Sequence, residues 1–107
     1  MKRNQYTIGK TVSFKGNGLH SGQPVTLTMR PAPAGTGIIF RRTDLPGAPE
    51  VPAQSGYITN TLRATTLERG AAKVFTVEHL LSALYAFHID NCCLEMDSPE
   101  PPVAGGG

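Results

Sequence analysis

Tryptophan is absent, cysteine occurs only twice and histidine only three times in these 107 residues. No apolar run approaches the roughly 20 residues that a helix needs to cross a bilayer. The amino end, MKRNQYTIGK, is basic, but no apolar segment follows it, so a secretory signal is not supported and a cytoplasmic location is expected. Charge of one sign is scarce as well. Ten Lys and Arg against eight Asp and Glu leave +2, and the only adjacent basic pairs are Lys2-Arg3 and Arg41-Arg42. That distribution lacks the clustered footprint of a nucleic-acid binder. Cys92 and Cys93 are neighbours, and consecutive strand residues point to opposite faces, so a mutual disulfide would need a strained turn; reduced, structural thiols are expected. Three histidines cannot complete a three-ligand zinc site without carboxylates or residues from elsewhere.

What is present is one modest core. Residues 24–30, PVTLTMR, alternate Val25, Leu27 and Met29 with Thr26, Thr28 and Arg30, which is the pattern of a half-buried strand. Residues 7–14, TIGKTVSF, place Ile8, Val12 and Phe14 at even spacing and predict another. GNGLHSG between them is a turn-rich connection. GIIFRR reads as a short strand, TDLPGAPEVPAQSG as a long surface loop, and YIT and ATTLERGAAKVF as further short strands with a turn at ERGA. NCCLEM, with Cys92, Leu94 and Met96 on one face, predicts a strand fed directly by a helix, and DSPEPPVAGGG has no regular pattern.

That helix is predicted over residues 76–87. Thr76 is the expected N-cap, and Val77, Leu80, Leu81, Leu84 and Phe87 recur at steps of three and four to form one apolar core stripe. The element order predicts a single α+β domain over residues 1–107, a small mixed or antiparallel sheet with one main helix packed on one face.

The helix opens with Glu78 and His79. Adjacent helical residues diverge by about 100°, but in the first turn both side chains can lean toward the open N-terminal end. There the positive end of the helix dipole suits a carboxylate and a neutral imidazole, which are the states of a general base and a metal ligand. The pair is not specific by itself. It fits neither H-E-x-x-H nor H-x-x-E-H, since position 75 is Phe75. His88 lies nine residues on, about half a turn away around the helix, and the remaining histidine, His20, sits in the GNGLHSG loop. A first-turn Glu that merely stabilises the dipole and a surface His are the plainer alternative.

Three separated strings, GNGLHSGQPVTLTMRPAPAGTGIIFRRTDL, TVEHLLSAL and IDNCCLEMDSPEPPV, together resemble the start of the UDP-3-O-acyl-N-acetylglucosamine deacetylases, zinc enzymes of lipid A synthesis. The resemblance runs in order over nearly the whole chain. It implies the first half of a two-domain α/β sandwich with the active site between the halves, and a UDP-linked acylated glucosamine as substrate. By the same resemblance His79 corresponds to a zinc ligand and Glu78 to the general base that activates water for attack on the N-acetyl carbonyl. His20 and the TNTLRATTL segment, including Leu62, correspond to regions near the cleft, with a loop histidine and a packed leucine as equal alternatives.

The family's other zinc ligands and second catalytic histidine have no counterpart here, and Gly105 and Gly107 stand where the family has an Asp and a Ser that open a second helix. The chain is therefore expected to stop before that helix, to bind zinc poorly alone, to show little turnover, and to self-associate through an uncovered helix face. A non-catalytic binding or scaffold domain, holding an anionic ligand with GNGLHSG, Arg41 and Arg42, is the second expectation.

Overall fold

A computed structural model describes residues 5–59 and 65–102. Five strands form a mixed sheet: β1 Val12–Asn17, β2 Pro24–Pro31, β3 Ile38–Arg42, β4 Glu50–Pro52 and β7 Cys92–Met96, in the order β1-β2-β7-β3-β4. Two more, β5 Thr66–Arg69 and β6 Ala72–Phe75, pair as a separate antiparallel hairpin turning at Gly70 and Ala71. Among the described residues one α-helix, α1 Glu78–Ala86, follows β6 and leads into β7. The expected α+β class is what the molecule has. No helix among the described residues is long and apolar enough to cross a membrane.

The alternation read from the sequence sets the register. Leu27 pairs with Met96, Met29 with Leu94, and Phe40 with both Leu94 and Val51. One sheet face therefore carries a continuous buried layer, because period-2 side chains in matched register all turn to the same side. Leu67, Ala72 and Val74 from the hairpin, together with Val77 and Leu84 around α1, close over it. Arg42, buried at the end of β3, ties the two sheets together. Its Nε and Nη2 donate to the Asp44 carboxylate at 2.8 and 2.6 Å, and its Nη1 donates to the Lys73 carbonyl at 2.8 Å.

Several expectations are corrected. The first strand begins at Val12, not residue 7, and Thr7 keeps only an isolated bridge to Asn91. Phe14 lies opposite Leu27 on the core side, yet β1 is the sheet's outermost strand and the covering layer leaves Phe14 51% exposed. The proline- and glycine-rich segment after β3 is not wholly loop, because Val51 in β4 is fully buried against Phe40. Tyr57 belongs to a 3₁₀ turn, Ser55–Tyr57, and Ile58 only bridges to Leu67.

The helix is shorter than residues 76–87. Val77 occupies the N-cap without a side-chain cap, and Thr76 has left-handed backbone geometry with φ 56°. A β-branched residue in that region is an outlier, and its hydroxyl is committed to Glu100 rather than to the helix. Leu84 is the only fully buried residue within α1. Leu80 and Leu81 are half-buried, while Phe87, expected in the core, is 77% exposed and Tyr85 is 85% exposed. Each lies past the narrow strip of α1 that meets the sheet.

The helix ends in a Schellman motif: His88 N–H donates to the Tyr85 carbonyl at 3.0 Å and Ile89 N–H to the Leu84 carbonyl at 2.9 Å. This closure requires left-handed geometry at His88, φ 58°, which costs an L-residue about 1–2 kcal/mol. His88→Gly is therefore expected to stabilise the chain by about 1 kcal/mol and to raise Tm by about 4–8 °C in thermal denaturation followed by circular dichroism.

Candidate functional site

Around the start of α1 three stretches of backbone meet. Phe75 N–H donates to the Pro99 carbonyl at 2.8 Å, and Val77 N–H donates to the Thr65 carbonyl at 3.3 Å. Thr65 N–H in turn donates to Glu78 Oε1 at 3.2 Å. Glu78 is thus half-buried and held by a backbone donor at the first helical position, while His79 beside it is exposed. The two candidates share the first turn, as the sequence implies. Among the described residues no three His, Cys, Asp or Glu side chains converge where a metal could be held. These residues offer His79 as a single donor and do not by themselves fit a complete zinc centre.

His20 is brought to the same end of the helix. Its Nδ1 lies 3.1 Å from Thr76 Oγ1 and 3.1 Å from Glu100 Oε2. Glu100 is the residue that sequence reasoning missed. It lies in the segment after β7 that carries no regular sequence pattern, and only 1% of it is exposed. Its Oε1 accepts from the backbone N–H of Ser21 at 2.9 Å and of His20 at 3.0 Å, and its Oε2 accepts from the Thr76 hydroxyl at 2.6 Å. Burial raises the carboxyl's proton affinity, but the Thr76 hydroxyl, the Ser21 N–H and hydroxyl and the His20 N–H outweigh it and hold the pKa at about 2.

Gly18 makes room for this carboxylate. A Cβ at position 18 would stand 2.3 Å from Glu100 Oε1 and 2.5 Å from Ser21 Oγ, so no larger residue fits while Glu100 stays in place. The signals present in the sequence were this glycine and an isolated acidic residue among prolines.

Leu62, the fourth expected site residue, lies outside the described residues. Arg41 and Arg42 do not form an open anion cradle. Arg41 donates from Nε to Glu50 at 2.9 Å and from Nη1 to Glu95 at 3.3 Å, and Arg42 is committed to Asp44 and Lys73. A groove of about 680 Å³ near Arg41, Glu50 and Arg69 includes none of Glu78, His79 or His20. Cys92 and Cys93 are free thiols, as expected. Burial, then the neighbouring Cys93, pushes the Cys92 thiol up to about 11, so it stays protonated and unreactive.

Comparison with known proteins agrees with the resemblance. The family described as "LpxC: UDP-3-O-acyl N-acetylglycosamine deacetylase" matches residues 5–107. A UDP-3-O-acyl-N-acetylglucosamine deacetylase of Myxococcus xanthus is 52% identical over 103 residues, covering 96% of this chain and 33% of the relative. One from Citrifermentans bemidjiense is 48% identical over 102 residues, covering 95% and 33%. A bifunctional LpxC/FabZ enzyme of Chlorobaculum tepidum is 48% identical over 102 residues, covering 95% and 22%. The chain thus spans about a third or less of the length of these relatives. With a match that runs through the helix-start pair, the His20 loop and the Glu100 segment alike, the chain belongs to the UDP-3-O-acyl N-acetylglycosamine deacetylase family.

Proposed function

We propose that this chain is the N-terminal part of a zinc-dependent deacetylase that removes the N-acetyl group of UDP-3-O-acyl-N-acetylglucosamine in lipid A biosynthesis. The observation that carries this reading is the family match over residues 5–107, with relatives of that name about half identical along 95% of the chain. In this reading Glu78 takes the proton from the attacking water, its other oxygen steadied by the Thr65 N–H. His79 supplies one metal donor, and the donors that complete the set come from outside the described residues. A zinc ion held there by His79 and the further donors would supply polarisation of the acetyl carbonyl. His20 lies within hydrogen-bond reach of Thr76, two residues ahead of Glu78, which suits a contact to substrate. The exposed Tyr85 and Phe87 favour a covering layer on α1, from a second copy or from residues of a longer protein. The scaffold alternative has lost its two cations to Glu50, Glu95 and Asp44.

The test is metal stoichiometry. Joined to the remaining segment of a relative, the chain is expected to hold one zinc per molecule and to release acetate, and His79→Ala is expected to lose both. Full zinc occupancy in His79→Ala would overturn the ligand assignment.

A further inference from the structure

The carboxylate of Glu100 is buried, yet nothing in the proposed chemistry uses it. Every group that meets it is a donor. Its oxygens receive the backbone N–H groups of His20 and Ser21, the Ser21 hydroxyl and the Thr76 hydroxyl, and one further neighbour, His20 Nδ1, is 3.1 Å from Oε2. An ionised carboxylate only accepts, so a ring nitrogen at that distance must carry its proton. The Thr76 hydroxyl has already given its hydrogen to Oε2, which leaves it able to accept from the same Nδ1–H but not to donate to it. Both contacts therefore select one tautomer. They also oppose the intrinsic preference of free histidine, which carries its proton on Nε2.

The other side of the ring is open. The His20 side chain is 46% exposed against 2% for Glu100, and Nε2 has no partner among the described residues. In the neutral ring, with Nδ1–H fixed inward, the lone pair falls on the outward Nε2. A carboxylate that orients an imidazole by its inner N–H is the arrangement by which proteins fix which ring nitrogen accepts.

We propose that Glu100 is a positioning residue: its carboxylate fixes His20 as the Nδ1–H tautomer and presents Nε2 as the acceptor for a hydroxyl or amide donor of the ligand, two residues ahead of α1. That the ligand is an acylated amino sugar rests on the function proposed above; the tautomer does not. Thr76 and Gly18 serve the same carboxylate, one by bonding it from a strained backbone and the other by leaving room for it.

Long-range ¹H–¹⁵N correlation spectra of the histidine-labelled chain, recorded with the imidazole neutral, read the tautomer directly. The Nδ1–H form is expected in at least about tenfold excess over Nε2–H, as a hydrogen bond to a charged group supplies. Glu100→Gln leaves one neutral amide oxygen to accept, sets an NH2 donor among these donors and removes the charge, and the ratio is expected to fall at least about tenfold. Thr76→Val, which spares the carboxylate, is expected to keep the Nδ1–H majority. An Nε2–H majority in the unaltered chain, an unchanged ratio in folded Glu100→Gln, or a reversal in Thr76→Val would overturn the assignment. If Glu100→Gln does not fold, the other two measurements decide. Neither needs metal or turnover, so a chain without deacetylase activity leaves this inference standing, and its failure leaves Glu78 and His79 untouched.

Discussion

Glu78→Gln in the completed enzyme is expected to lower kcat by about 10²–10⁴-fold, the usual contribution of a positioned general base, while zinc content stays at the unaltered level. The substitution is sharp because Gln is nearly isosteric and its Oε1 still accepts the Thr65 N–H that Glu78 Oε1 accepts at 3.2 Å. The tie between Thr65 and the helix start survives, and only proton acceptance is lost. A variant with unchanged rate would leave Glu78 as a structural link between Thr65 and α1. A variant that loses zinc together with rate would mean that the carboxylate, not merely His79, holds the metal.

The second large effect concerns stability against acid. Glu100 is held at about 2, below its ordinary 4.5. Because the folded value is the lower one, the carboxylate contributes stability that is fully present above about pH 5 and is lost as pH falls toward 2. At 1.36 kcal/mol per unit, that interval corresponds to about 3 kcal/mol at neutral pH. Glu100→Gln is therefore expected to cost about 3 kcal/mol in urea unfolding at pH 7 and little near pH 2, where the native carboxyl is itself about half protonated. Part of the loss at pH 7 comes from the buried donors of Ser21, His20 and Thr76 left facing an amide. A constant difference between the two chains across that range would mean that the residue acts by shape, not charge.

Most of the sheet was legible because its signals are local. The alternation in β2 and β7 fixed which residues face inward, and the turn at Gly70 was marked by its glycine. The α1 stripe was legible in period but not in width, since the spacing of apolar residues cannot say how much of a helix a given layer covers. Val77 and Leu84 are buried in the core and Leu80 and Leu81 pack partly against it; Phe87 does not. β4 was hidden because three residues among prolines carry too little periodicity, and only its antiparallel pairing with β3 reveals it.

Glu78 and His79 were visible because they are adjacent. Glu100 was not, because its partners lie 80, 79 and 24 residues away and no periodic pattern links them. Thr76 shows the same limit: its spacing suits an N-cap, but a distant acid recruits the hydroxyl and the backbone bends into a left-handed conformation to deliver it.

The strand order β1-β2-β7-β3-β4 places β7, the last of the described strands, at the centre of the sheet, antiparallel to β2 and parallel to β3. On the ribosome, the β1-β2 hairpin can form early, but the β3-β4 pair has nothing to dock on until residues 92–96 clear the exit tunnel. Nascent chains released or stalled before that point would carry two unpaired hydrophobic edges, Met29 on one side and Phe40 on the other, the kind of surface that recruits chaperones.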